Sequence, residues 1–280
     1  MNAAFARAAG WWTILRIALE ERLVYRGDFA LGAVMRFLPI VTQIFLWWAI
    51  FDTIGHGTRD SATIVGYSFS NMVAYYLLSM ISRAFSSMPG LASGIALQIR
   101  SGEIKKYLIQ PIDMLEFLLL SRLAHKLAYY SVAVLPFLMV FFICRGYFVD
   151  GWPAWDLLAG YVAALLMSFL LGFFLEASIG LIGFWFLEVS SLLFIYMLFN
   201  FFLSGHMFPL DMLPAPWDRL VSMLPLKYLA YYPAAIFLGK VPREELIGEL
   251  WIEAGWVVFF IVTARVAYRL GVRRYSGYGG

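Results

Sequence analysis

The chain has 280 residues, 62% of them hydrophobic and 14% charged, with 25 Phe, 16 Tyr and 10 Trp. Its mean hydropathy is +0.77, whereas a soluble globular protein carries about a quarter charged residues. These values exclude a water-soluble enzyme, a disordered chain and a nucleic-acid reader, and they point to a polytopic all-α membrane protein. The net charge of +3 says nothing until the charges are placed along the chain. Cys144 is the single cysteine, so no intramolecular disulfide and no cysteine-based metal site is expected. His56, His125 and His206 lie far apart and form no HExxH-like pair, so no metal ligand set is expected.

In chain order, residues 1–27 carry Arg7, Arg16, Arg22 and Arg26 and offer no cleavable signal. Residues 11–26 read as an interfacial helix. Trp12, Leu15, Leu19 and Leu23 recur at helical spacing, and Arg16 and Glu20 form an i,i+4 pair on another face. The alternative is a plain cytosolic extension of the first span. A spanning helix needs about 20 mainly apolar residues. Six segments meet that need, roughly 30–52, 65–87, 124–145, 156–179, 187–207 and 249–270. The apolar stretch from Leu157 to Leu210 is too long for one crossing, and its turn is placed at Gly180 to Glu188. The charges Glu253, Arg265 and Arg269 are expected near the ends of the last span, where they snorkel. No alternating pattern suggests a barrel.

Fourteen Lys and Arg residues flank the spans on the side of the N-terminus, the 87–122 loop and the C-terminal tail, against six on the other side. Both termini and that loop are therefore expected in the cytoplasm. Within the loop, Ser101-Gly102 marks a turn. Pro111, with Asp113 and Glu116 behind it, predicts the start of a short helix that exposes Ile112, Met114, Leu115 and Phe117. Such a helix is either a docking knob or an ordinary lead-in to the third span. Six of the eleven prolines fall within 207–248, among Trp217, Tyr228, Tyr231, Tyr232 and Phe237. This spacing predicts short helices in an outer segment over 208–248, either re-entrant or lying flat as a cap.

The sequence has no G-x-x-x-x-G-K-S/T phosphate loop and no G-x-S-x-G elbow. No residue is a candidate for catalysis. Buried charges are few. Arg36 either snorkels or pairs, or else meets a substrate. Glu176 is a candidate partner for a cation such as Arg36, with proton coupling the second reading. Glu188 suits the N-terminus of the fifth span. Asn71, Tyr75, Ser79, Tyr196 and Asn200 are candidate pathway residues. The alternative for each is an interhelical hydrogen bond.

Several segments in order resemble the type-2 ABC exporter permeases. IRSGEIKKYLIQPID (99–113) is similar to the loop after their second span. GFWFLE (183–188), SGHMFPLDMLP (204–214) and LPLKYLAYYPAAIFLG (224–239) are similar to their fifth span and outer hairpin. The tail RRYSGYGG (273–280) resembles an uncharacterised bacterial subgroup close to the daunorubicin-exporter-like permeases.

The resemblance implies a single transmembrane domain of the type V exporter fold, with six spans, an interfacial helix, a cytoplasmic coupling helix and an outer re-entrant hairpin. It implies a permease that works as a homodimer or with a paralogous permease, in the bacterial inner membrane. ATP-binding subunits would be separate chains and would hold the ATP and magnesium. Carried onto this chain, the coupling residues are Gly102, Glu103, Pro111, Ile112, Asp113, Met114, Leu115 and Phe117. The competing functions are an ion-coupled secondary transporter without an ATPase and a non-transporting membrane scaffold or sensor.

Overall fold

The computed structural model describes residues 3–24, 31–32, 35, 37–56, 62–149, 151–186 and 188–275, with side chains over 9–22 in the first of these stretches. The helices, in chain order, are α1 (Ala3–Val24), α2 (Leu38–Ile54), α3 (Phe69–Ser86), α4 (Leu91–Arg100), α5 (Lys105–Leu108), α6 (Met114–Ile143), α7 (Trp155–Leu181), α8 (Ser190–Leu203), α9 (Trp217–Ser222), α10 (Tyr231–Phe237) and α11 (Arg243–Arg274). Among the described residues the only β pairing is an isolated bridge between Ile64 and Tyr67.

Among the described residues, three stretches are long and apolar enough to cross a membrane, namely Met114–Tyr147, Trp155–Phe184 and Arg243–Arg274. The chain is a multi-pass membrane protein. Among the described residues, the continuous helices within the other three expected spans are shorter than those spans. α2 has 17 residues and α8 has 14, about 25 and 21 Å of helix against a hydrocarbon core of about 30 Å. α3 has 18 residues, carries Ser70, Asn71, Tyr75, Tyr76 and Ser79, and is buried along most of its length.

The chain forms two compact units, residues 1–42 with 104–145 and residues 43–103 with 146–280. In the first unit α1 packs along α6. Ile14, Leu15, Ala18 and Leu19 are its half-buried positions, while Trp12 is 66% exposed. The Trp11 indole N–H donates to Glu116 at 3.1 Å, and Arg16 pairs with Glu20 at 2.8 Å as the spacing predicts. The apolar stripe of α1 therefore has a protein partner. The helix also begins earlier than expected, at Ala3.

In the second unit α3, α4, α10 and α11 pack on α7. α7 and α11 run parallel. Asp156 and Arg243 pair at 3.4 Å near their N-termini, Leu246 lies against Gly160, and Phe184, just beyond α7, lies against Gly271. Glycine permits the closest approaches. A Cβ on Gly172 would collide with the carbonyl oxygen of Ser86, and one on Gly180 would lie 2.6 Å from that of Ala92. α3 and α4 thus lie end to end along α7, broken at Pro89-Gly90, where Gly90 has φ +72°.

This placement corrects the reading of 87–122 as a loop with one short helix. α4 buries Leu91, Ala92, Ile95, Ala96 and Ile99, a helical stripe present in the sequence. The turn at Gly180 to Glu188 is found as expected. α7 ends at Leu181, a short 3₁₀ turn covers Ile182–Phe184, and α8 starts at Ser190. Glu188 accepts a hydrogen bond from the Ser190 N–H at 2.8 Å; the Ser190 side chain first, and then this N–H, hold its carboxyl below the usual range, which fits the acid expected at that helix start.

A valine at Gly172 must displace backbone rather than a flexible side chain. Gly172→Val should cost at least about 2 kcal/mol and lower both the melting temperature in detergent and the monodisperse yield. Gly94→Ala, which meets open space, should leave both unchanged.

Candidate functional site

The Pro-rich segment after α8 breaks into short helices, as its proline spacing requires: Leu210–Met212, α9, Pro225–Leu229 and α10. Short helices leave many backbone carbonyls without helical partners. α3 supplies the missing donors. The Tyr75 hydroxyl donates to the carbonyl of Gly205 and the Tyr76 hydroxyl to that of Met207. Trp47 on α2 donates to the Tyr76 oxygen at 2.7 Å. Ser86, at the far end of α3, donates to the carbonyl of Leu229 at 2.7 Å. The Tyr231 N–H donates to the carbonyl of Ser204 at 2.9 Å and ties the start of α10 to the end of α8. Gly205 has φ +82°, and a Cβ there would lie 2.8 Å from the Tyr75 oxygen. Only glycine fits that turn.

Before α3, the Tyr67 hydroxyl donates to Asp211 at 2.9 Å. Burial pushes the Asp211 carboxyl up, and the Tyr67 hydrogen bond opposes that. Lys240 lies 4.3 Å over the Tyr67 ring and donates to the Gly66 carbonyl at 2.8 Å. Further along, Lys227 and Tyr228 both donate to Glu249 on α11, at 2.9 and 2.7 Å.

The candidate pathway residues separate into two groups. Tyr75 is fully buried and its hydroxyl is committed to Gly205; Ser79 is 1% exposed. Asn71 uses its N–H at the start of α3, bonded to the Ser68 hydroxyl at 3.2 Å, and lines a small cleft with Tyr147, Phe148 and Phe237. Tyr196 and Asn200 lie half-buried on α8. That helix buries none of its residues. The charges of Glu176 on α7 and Arg83 on α3 both bear on the Tyr196 hydroxyl. Arg83, counted from the sequence with the cytoplasmic loop, and Glu176 are both half-buried. Arg36 lies outside the described residues.

The residues expected from the resemblance to form a coupling helix are arranged differently from that expectation. Ser101-Gly102 turns the chain after α4, with Gly102 at φ +79°, and Glu103 is exposed in that turn. In the first unit, Pro111 and Ile112 precede the helix. Asp113 caps it, accepting from the Glu116 N–H at 2.9 Å, and α6 then runs without interruption from Met114 to Ile143. No separate short helix exists at Pro111 to Phe117. Met114 and Leu115 are buried at 0% and 1% exposure, so they are not the exposed knob expected from the sequence. Phe117 is half-buried, its ring 5.6 Å from that of Tyr107. The exposed apolar surface is just upstream, where Leu108 is 41% and Ile109 82% exposed, beside exposed Lys105 and Lys106. The sequence signal for this was the LIQP run, which lies inside the 87–122 loop.

Residues 37–279 match the model of the ABC-2 family transporter proteins. The chain belongs to the ABC-2 transporter family. A comparison with curated proteins returned no match. The family match extends from α2 to the C-terminal tail. It takes in residues 99–113, 183–188, 204–214 and 224–239, segments that carried the resemblance in the sequence.

Two tyrosines separate the structural use of these hydroxyls from mere burial. Tyr75→Phe leaves the buried Gly205 carbonyl without its donor and should destabilise the ABC-2 protein by about 1–3 kcal/mol. The Tyr161 hydroxyl is buried with no hydrogen-bond partner among the described residues, so Tyr161→Phe should be neutral or stabilising. Thermal unfolding in one detergent checks both.

Proposed function

We propose that the chain is the permease subunit of an ATP-driven ABC exporter. It forms the substrate pathway with a second permease, either another copy of itself or a paralogue. Separate ATP-binding subunits bind ATP with magnesium and hydrolyse it. The family match over 37–279, in a chain whose described residues include three helices long and apolar enough to cross a membrane, carries this reading. The absence of a phosphate loop from the sequence agrees with an ATPase on another chain. In this reading the apolar helices α2 and α8 and the buried α3 join α6, α7 and α11 as six crossings of a type V exporter. The Pro-rich segment is re-entrant; its bonds to α3 at Tyr75, Tyr76 and Ser86 support that over a flat cap. The excess of Lys and Arg supports cytoplasmic termini, and the resemblance to bacterial permeases supports the inner membrane.

The ATPase docks on the exposed stretch from Lys105 to Pro111. Met114 and Leu115 are the buried footing behind it, and the Trp11–Glu116 bond carries a push on α6 into α1. ATP closes the partner subunits, which bind one conformation of the permease more tightly and so select it. A path then opens between the first, second and fifth spans. This chain performs no bond chemistry.

A tagged pull-down from gentle detergent, with intact-mass analysis, tests the reading. One ATPase subunit per permease is the expected result, and the masses distinguish one permease species from two. Recovery of the chain alone, from its own host at normal expression, would favour an ion-coupled transporter or a scaffold. Ile109→Asp should cut the recovered ATPase at least roughly tenfold, since interface anchors carry about 2 kcal/mol or more, with the melting temperature unchanged. Leu115→Asp buries a charge and should lower the melting temperature itself.

A further inference from the structure

Glu253 has no use in the fold described so far. It lies on α11 at 0% exposure, and neither carboxyl oxygen has a hydrogen-bond partner among the described residues. The expectation that it snorkels is therefore overturned. A buried carboxyl group without donors is costly, and such groups are ordinarily paired. The charges that bear on Glu253 are Glu249 and Lys227. Glu249 and Glu253 are four residues apart on one helix face, about 6 Å along the axis. Lys227 is itself only 8% exposed and has a flexible stem with three donors on its ammonium group. One buried ammonium group thus faces two carboxyl groups, one filled and one empty.

We infer that Lys227 has two berths on α11, Glu249 and Glu253, and that its ammonium group exchanges between them. The surroundings favour this arrangement. When Lys227 leaves Glu249, the Tyr228 hydroxyl stays on that carboxylate, and the Glu249 side chain, 27% exposed, retains access to water. Glu253 has neither resource and needs the ammonium group. Of the other titratable groups that bear on the pair, Tyr232 is engaged with the Leu246 carbonyl at 3.3 Å and Tyr231 with Asp211. The Pro-rich segment is therefore tied to α11 by a bond that can step one helical turn without being lost. One-turn steps of this kind connect the two states of packed elements. The inference rests on α11 and residues 225–232 alone and requires no ATPase.

A thermal cycle on the purified full chain reads the exchange through a change of sign. In the unaltered chain, Glu253→Gln removes an unpartnered buried carboxyl group and should leave or raise the Tm. In the Glu249→Gln background the same change removes the berth Lys227 has moved to, and it should lower the Tm. A neutral or raised Tm in both backgrounds overturns the inference. Hydrogen exchange over residues 225–237 gives a second reading on a single, mild variant. Glu249→Gln alone should keep that segment protected, whereas Lys227→Met should expose it. Equal loss of protection in Glu249→Gln and Lys227→Met also overturns it.

Discussion

A backbone that is not helical, inside a protein built for a membrane, must have its carbonyls satisfied by protein. That constraint organises the second unit. Prolines break the segment after α8 into short turns, so Gly205, Met207 and Leu229 present carbonyls that no helix accommodates. Tyr75, Tyr76 and Ser86 on α3 supply the donors. The polar side chains of α3 are therefore the reason an irregular segment can pack against it. An apolar α3 would leave those carbonyls bare at a cost of several kcal/mol each.

Such bonds need the backbones to come close, and α7 permits it. Gly172 and Gly180 let the chain around Ser86 and Ala92 approach to distances that a Cβ would forbid. Between helices in lipid, where apolar burial offers little, tight packing of small residues is the main attraction. α7 thus serves as the rail on which α3, α4, α10 and α11 are aligned. α8, by contrast, buries none of its own residues. In the exporter reading that exposure belongs to a helix completed by lipid or by a second permease.

The charges follow the same logic of enclosure. Exposed pairs such as Asp156–Arg243 and Arg100–Glu188 lie at helix ends, where water screens them and each contributes little. The enclosed groups are the ones that need specific partners. Asp211 takes the Tyr67 hydroxyl, and Glu249 takes Lys227 and Tyr228. Glu253 stands apart because the fold encloses it and offers no donor in the position described.

Hydropathy alone revealed the membrane class, α6, α7 and α11, the turn at Gly180 to Glu188 and the proline-broken segment, because each depends on local composition. The family was legible in the order of its segments. The stripe on α4 was also present, at helical spacing, but its polar neighbours made it read as loop. The starting point of α6 was misplaced because Pro111 is a good first-turn residue, while the capping bond is made by Asp113. What local pattern does not encode is which side chain meets which backbone. The pairing of Tyr75 with Gly205, the burial of Met114 and Leu115, and the enclosure of Glu253 join residues that are remote in sequence or covered by remote segments. Those were decided by tertiary structure, because hydrogen bonds and burial depend on distance in space, whereas hydropathy depends only on the residues themselves.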